Sequence, residues 1–181
     1  SKGMDGARMQ EIANEAGINK AMLHYYYRNK QLLFEAVFKQ AFSLLAPQLN
    51  DILNDDSSIE DKIKSFTVNY TSFMMKHPYL PNFIIQELNR NEDFILKLKQ
   101  NTGFPNLQKF KKQVDSEIDN GIIIPIEADQ LFVNIIALNI FPFLGKPLIK
   151  AFTDKDEKAY NDFVESRKSE VANFIINSIK R

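Results

Sequence analysis

The stretch Met9-Gln10-Glu11-Ile12-Ala13-Asn14-Glu15-Ala16-Gly17-Ile18-Asn19-Lys20-Ala21-Met22-Leu23-His24-Tyr25-Tyr26-Tyr27-Arg28-Asn29-Lys30-Gln31-Leu32-Leu33 holds two short helical patterns hinged on one glycine. Met9, Ile12, Ala13 and Ala16 recur at i, i+3, i+4 and i+7, which predicts a helix over 8–16. Gly17 suits the positive-φ turn that ends it. Asn19 can cap a second helix over 20–27. Arg28-Asn29 breaks that helix, and a long one begins near residue 30 with Leu32, Leu33, Ala36, Val37 and Phe38 facing inward. Helix, glycine turn and short basic-aromatic helix have the spacing of a helix-turn-helix. That arrangement needs a small Ala13 at the crossing, a turn at Gly17, and Ile18 and Leu23 filling the core between the helices. Lys20 then suits guanine acceptors, Ala21 and Met22 suit thymine methyls, Tyr25 and Tyr26 suit phosphates, and Lys30 can neutralise one. The same pattern also fits an ordinary helical hairpin with a solvated basic face.

Further along, Pro47 is expected to end or kink the long helix. An acidic connection follows over 51–61. Ser57 with Glu60 reads as a capping box opening a helix through Lys76, with Ile59, Ile63, Phe66, Tyr70 and Phe73 as its buried stripe. His77-Pro78-Tyr79-Leu80-Pro81 reads as a turn, and helices are expected over 82–89, 92–100 and 105–120, the last ending at Gly121. An apolar helix over 129–143 and a terminal helix over 156–180 complete the chain. The terminal stripe is Tyr160, Phe163, Val164, Val171, Phe174, Ile175 and Ile179. The fold class is therefore all-α, with a small head over 1–44 and a helical bundle over 45–181.

Composition narrows the chemistry. The 181 residues carry 23 basic and 23 acidic side chains, two histidines and no cysteine. Lack of cysteine excludes a disulfide scaffold, a thiolate zinc site and a cysteine nucleophile. The neutral total argues against a uniformly basic coat, yet Lys20, Arg28 and Lys30 stand between Ala16 and Gln31 with no acid among them. All 15 phenylalanines come after residue 31. No phosphate loop, dinucleotide fingerprint or His-Glu-x-x-His is present, and His24 and His77 are 53 residues apart. No enzyme activity, metal or cofactor is expected. The acidic 51–61 stretch lacks the calcium-loop glycine and reads as a solvated linker. Asn69-Tyr70-Thr71 is a formal glycosylation sequon, but it falls in an expected helix. The most apolar stretch, 131–152, is interrupted by Asn134, Asn139, Lys146, Lys150, Pro142 and Pro147, so it reads as protein interior rather than a membrane span. With no apolar leader segment, a cytoplasmic protein is expected.

The quoted residues resemble the DNA-binding head of TetR-type transcriptional regulators. Their pattern is an Ile-Ala pair, an Ala-Gly-Val turn, a short Leu-Tyr-aromatic-aromatic-Phe helix, then Ser/Asn-Lys and paired leucines. The resemblance spans about 30 residues, and the rest of the chain shares only a layout of long helices, with Phe141-Pro142-Phe143 reminiscent of some members. It implies that Gln10, Lys20, Ala21, Met22 and Tyr25 face the groove. His24 replaces a usual tyrosine in that set, and Tyr26 and Lys30 fall on phosphate-contacting positions. Arg8 stands where a capping Ser or Thr is usual, which costs a cap worth about 1 kcal/mol but supplies a possible phosphate contact. The family also has a helix before this pair. Ser1-Lys2-Gly3-Met4-Asp5-Gly6 resembles only the turn after it, so a truncated or partly ordered copy is expected, with Ile12, Leu23 and Tyr27 losing cover.

The resemblance further implies a small apolar or amphipathic effector. Phe66, Tyr70, Phe73, Met74, Phe83, Ile84, Phe104, Phe110 and Val114 are the residues that would line its cavity, with Glu87, Gln113 and Asn134 as polar anchors. Plain core is the competing assignment for each. The 129–143 and 156–180 helices are the expected homodimer surface, because a helix apolar nearly all round needs cover on every side. Burial within one subunit is the alternative. Taken together these features imply a ligand-responsive regulator, most simply a repressor, on a pseudo-palindromic double-stranded DNA operator. The competing class is a helical small-molecule binding protein without DNA binding.

Overall fold

The computed structural model describes residues 6–90 and 105–181, together with Leu96. The described residues form nine helices: α1 Met9–Glu15, α2 Lys20–Tyr26, α3 Lys30–Asn54, α4 Ile59–Lys76, α5 Leu80–Arg90, α6 Gln108–Asp119, α7 Ala128–Leu144, α8 Lys146–Thr153 and α9 Glu157–Ile179. They contain no strand, only an isolated bridge between Ile123 and Lys180. The fold is all-α. The helix expected over 92–100 lies outside the described residues, Leu96 apart.

Two separate cores hold these helices. Ala13, Leu23 and Leu33 make the small one, with Met9, Ile12 and Tyr27 at its margin. The large one draws on α3 to α7 and on α9, and begins at Phe38. The long helix α3 therefore contributes to both. At the centre of the bundle, α4 packs on α3, α6, α7 and α9, and Ile59, Ile63, Phe66, Tyr70 and Met74 form its buried stripe. Phe73 lies only at the core margin.

Several helix limits differ from expectation for identifiable reasons. Pro47 does not end α3, which runs on to Asn54. A proline frees the carbonyl four residues earlier, here Ser43, and both residues are exposed. Water can take that carbonyl while Leu45, Ala46, Ile52 and Leu53 bury the helix on either side. The acidic connection consequently shrinks to 55–58. Lys62, fully buried, closes the end of α3: its Nζ donates to the carbonyls of Ile52 at 3.1 Å and Asp55 at 2.9 Å. The cap of α4 is Ser58 rather than Ser57, because Ser58 Oγ accepts from Asp61 N at 3.1 Å and donates to Asp61 Oδ2 at 2.8 Å. Glu117 Oε1 accepts from Ile59 N at 2.9 Å, so a residue 58 positions away satisfies another first-turn donor.

The 131–152 stretch is only partly interior. Leu131, Ile135, Asn139 and Pro142 are buried, but Val133 and Phe141 are exposed, and α8, at 74° to α7, buries no residue fully. Phe152 on α8 is 81% exposed. At Gly145, between the two helices, an added Cβ would come 3.2 Å from the Phe141 carbonyl and would push aside its half-exposed ring. No single described helix is long and apolar enough to cross a membrane. In α9 the buried arc is Tyr160, Val164, Val171, Ala172, Ile175, Ile176 and Ile179. Phe174, expected inside, is 65% exposed because the neighbouring pair Ile175 and Ile176 faces the bundle instead.

Candidate nucleic-acid interface

The head is built from its smallest residues outward. Ala13 is completely buried, which lets α1 and α2 approach. Gly17 adopts φ +65°, and the turn closes through Gly17 N to Asn14 O at 3.1 Å and Ile18 N to Ala13 O at 2.9 Å. Asn19 caps α2, its side-chain oxygen accepting from Ala21 N at 2.8 Å. Asn29 repeats the device at α3, accepting from Leu32 N at 2.9 Å. Leu23 fills the space between helices as expected, but Ile18 is 37% exposed and outside the small core. The pocket that Ile18 was expected to fill is closed from the α3 side by Leu33, with Tyr27 beside it.

With Leu23 turned inward, α2 presents everything else outward. Lys20, Ala21 and His24 are exposed, and Met22, Tyr25 and Tyr26 are 50%, 82% and 67% exposed. The Tyr25 and Tyr26 rings meet edge to face with centroids 5.4 Å apart. Such exposure of aromatic area is unfavourable in water and acceptable on a surface that something else covers. Arg28, counted for its charge but given no role from sequence, is exposed just beyond this helix. Its signal was the lack of acids between Ala16 and Gln31.

The remaining candidates sit around that face. Arg8 occupies the N-cap of α1 with an extended backbone and no capping side-chain bond. Gln10 is exposed and its amide donates to Asn14 Oδ1 at 2.8 Å. Lys30 is half-buried and its Nζ donates to the Ala7 carbonyl at 3.2 Å. An ammonium has three donors, so this bond ties the head together without exhausting the lysine.

The residues considered for an effector cavity divide. Phe66, Tyr70, Met74, Ile84, Phe110 and Val114 are buried in the large core, with Phe73 and Phe83 packed against it. Burial pushes the Tyr70 phenol up from its ordinary pKa. Phe104 lies outside the described residues. Glu87 is buried, but its carboxylate is paired with Arg90. The Gln113 amide donates to the Ser57 carbonyl, and its Oε1 is buried without a partner. Asn134 is not with the others. It is exposed, and lines a groove of about 370 Å³ between α7 and α9 with Leu131, Ala137, Leu138, Phe174 and Ile175. Among the described residues, no group of three histidine, aspartate or glutamate side chains is placed to hold a metal.

Residues 1–37 match the family described as bacterial regulatory proteins, tetR family. Comparison with curated proteins finds no match. Among solved structures, the chain is similar to a protein of Mesorhizobium loti assigned to the TetR family of transcriptional regulators. The TM-score is 0.59 at 16% identity, covering 99% of this chain and 90% of that one. A transcriptional regulator of Cytophaga hutchinsonii matches with TM-score 0.56 and 21% identity over 99% of this chain and 91% of the other. At such identities the likeness is one of fold, and it extends over nearly the whole chain.

Proposed function

From the premise that residues 1–37 carry the head of the tetR family of bacterial regulatory proteins, we propose that this protein is a DNA-binding transcriptional regulator. The observation that carries the reading is the outer face of α2. Lys20, Met22, Tyr25 and Tyr26 are all exposed on a helix held from behind by Leu23 and Ala13. In the major groove, Lys20, Ala21, Met22 and Tyr25 read base edges, with Gln10 and His24 beside them. Tyr26, Lys30 and Arg8 contact phosphates. Residues 1–44 act as the DNA-binding unit and 45–181 as the effector-binding and dimerisation unit.

Two copies join through α7 and α9. Val133, Phe141 and Phe174 are large apolar side chains exposed on these helices, and a second copy laid across them supplies cover. The paired heads then reach successive major grooves of a pseudo-palindromic operator, about 34–36 Å apart. The protein acts in the cytoplasm as a repressor, released when a small apolar effector in the bundle favours a head separation that no longer fits. A coupling of about 1–3 kcal/mol weakens DNA binding roughly 5–150-fold.

Fluorescence anisotropy with duplex DNA from upstream of the protein's own coding region, against random duplex, tests the reading across a salt series. Lys20→Ala should weaken selective binding by about 1–3 kcal/mol. Tyr26→Ala should weaken binding to both duplexes alike. Equal affinity of the parent protein for the two duplexes at every salt concentration sinks the proposal, and small-molecule binding without DNA preference would replace it.

A further inference from the structure

The first turn of α3 belongs to both halves of the molecule. Lys30 and Gln31 are neighbours whose side chains tie to different partners. Lys30 Nζ donates to Ala7 O in the head at 3.2 Å, whereas Gln31 Oε1 accepts from Arg90 Nη1 at 3.3 Å. Arg90 lies at the far end of α5, 59 residues along the chain. The Gln31 amide is oriented by donating to Glu35 Oε1 at 2.9 Å. Arg90 is in turn gripped by the carboxylate of Glu87, whose side chain is only 8% exposed. Further along α5 toward its start, Phe83 packs against Phe34 and Phe38 of α3, with ring centroids 6.1 and 6.3 Å apart. The same helix α5 packs on α7.

We propose that Arg90 is a positioning residue for DNA recognition: held by Glu87, it sets where the first turn of α3, and the head attached to it, sits on the bundle. This rests on the DNA-binding reading above. The chemistry favours arginine at this point. Its planar guanidinium carries five donors in a fixed fork, so one arm holds Glu87 while another reaches Gln31. A lysine is a point donor on a flexible stem and keeps the Glu87 pair without directing a second bond. Burial of Glu87 makes the anchor firm, because a carboxylate away from water holds its cation more tightly than an exposed one. A pair serving only to finish α5 would need no partner on α3.

The test compares the parent protein with Arg90→Lys, Gln31→Ala and the double variant. Binding to the upstream duplex is read by anisotropy, and amide hydrogen exchange over residues 20–33 is read without DNA. Each single variant should weaken selective binding about 3–10-fold. The double variant should be no worse than either, as expected for two ends of one contact. Exchange over 20–33 should quicken by a similar factor, while the thermal midpoint moves by less than about 4 °C. Selective binding by the parent that is indifferent to both substitutions, or losses that simply add, overturns the role of Arg90 alone. Lack of selective binding by the parent overturns the DNA reading itself, and the role of Arg90 with it.

Discussion

A buried proline inside a helix leaves a carbonyl in need of a donor, and Arg167 is that donor. Pro142 has no N–H to give to Leu138 four residues earlier, and the Leu138 carbonyl instead accepts from Arg167 Nη2 at 2.8 Å. The guanidinium also lies 5.7 Å from the centre of the Phe163 ring. Arg167→Met keeps much of the stem volume and removes both contacts. An unsatisfied carbonyl costs about 1–3 kcal/mol and the lost cation–π contact about 0.5–1 kcal/mol. Some relief opposes this. Burial holds the guanidinium below its ordinary pKa, and Arg167 Nε is buried without a partner. The expected net loss is about 2 kcal/mol, or roughly 4–8 °C for a chain of this size. In a Pro142→Ala background the new N–H serves Leu138 directly. There the same Arg167→Met change should cost under about 1 kcal/mol, the cation–π part alone. Urea denaturation of all four proteins at one protein concentration gives the cycle. Additivity of the two substitutions within about 0.5 kcal/mol refutes the assignment of Arg167 to the freed carbonyl.

Other consequences can be checked singly. Gly17 holds φ +65° in open space, so Gly17→Ala meets no clash and costs only backbone strain, about 1–2 kcal/mol. Amide exchange over residues 9–27 should quicken, and less so in Gly17→Asn. Lys62→Met strips the donors from the carbonyls of Ile52 and Asp55 and should lower the stability of the bundle by about 2–3 kcal/mol in urea. Hydrogen bonds from Lys146 and Lys150 depress the Glu157 carboxyl pKa to about 2. A depressed folded-state pKa means stability present at neutral pH and lost as the carboxyl protonates. The tie between α8 and the start of α9 should therefore hold above about pH 4.5 and loosen as pH falls toward 2, with the Glu157 carboxyl resonance titrating in step.

Much of the head was legible because its rules are local. Gly17, Asn19 and the spacing of Met9, Ile12 and Ala13 act within one or two helical turns, and the observed α1 and α2 keep within a residue of the expected limits. The outward face of α2 was legible for the same reason: one inward leucine dictates where its neighbours point. Errors arose where a local rule was applied without the surrounding packing. Ser57 was read as the cap of α4, and the bonds between Ser58 and Asp61 give that place to its neighbour. Pro81 was read as a turn residue, yet it fits the first turn of α5, where a missing N–H costs nothing. Pro47 was expected to end or kink α3, and the helix does not end there because it is packed on both sides. α8 was not anticipated, since its residues had been assigned to interior by apolarity alone.

The candidate bundle residues show the limit more sharply. Phe66, Tyr70, Met74, Phe110 and Val114, offered as cavity lining with plain core as the alternative, are buried in the large core. Apolar character said nothing of the pairing of Glu87 with Arg90, of Arg90 with Gln31, or of Arg167 with Leu138. Nor did periodicity separate Phe174 from Ile175, neighbours of which one is exposed and the other buried.

By itself the sequence determined the all-α class, the glycine-hinged helix pair and the basic-aromatic face of α2. Helix capping, glycine's freedom at positive φ and the 3.6-residue repeat are all settled between residues a few positions apart. The tertiary structure alone decided that α3 passes through Pro47, that Asn134 faces a surface groove, and that Arg90 joins α5 to the root of the head. Those outcomes depend on which surfaces meet and on which polar groups are left needing a partner once water is excluded. Arg90 and Gln31 are 59 positions apart, and only the packed bundle brings such residues within reach.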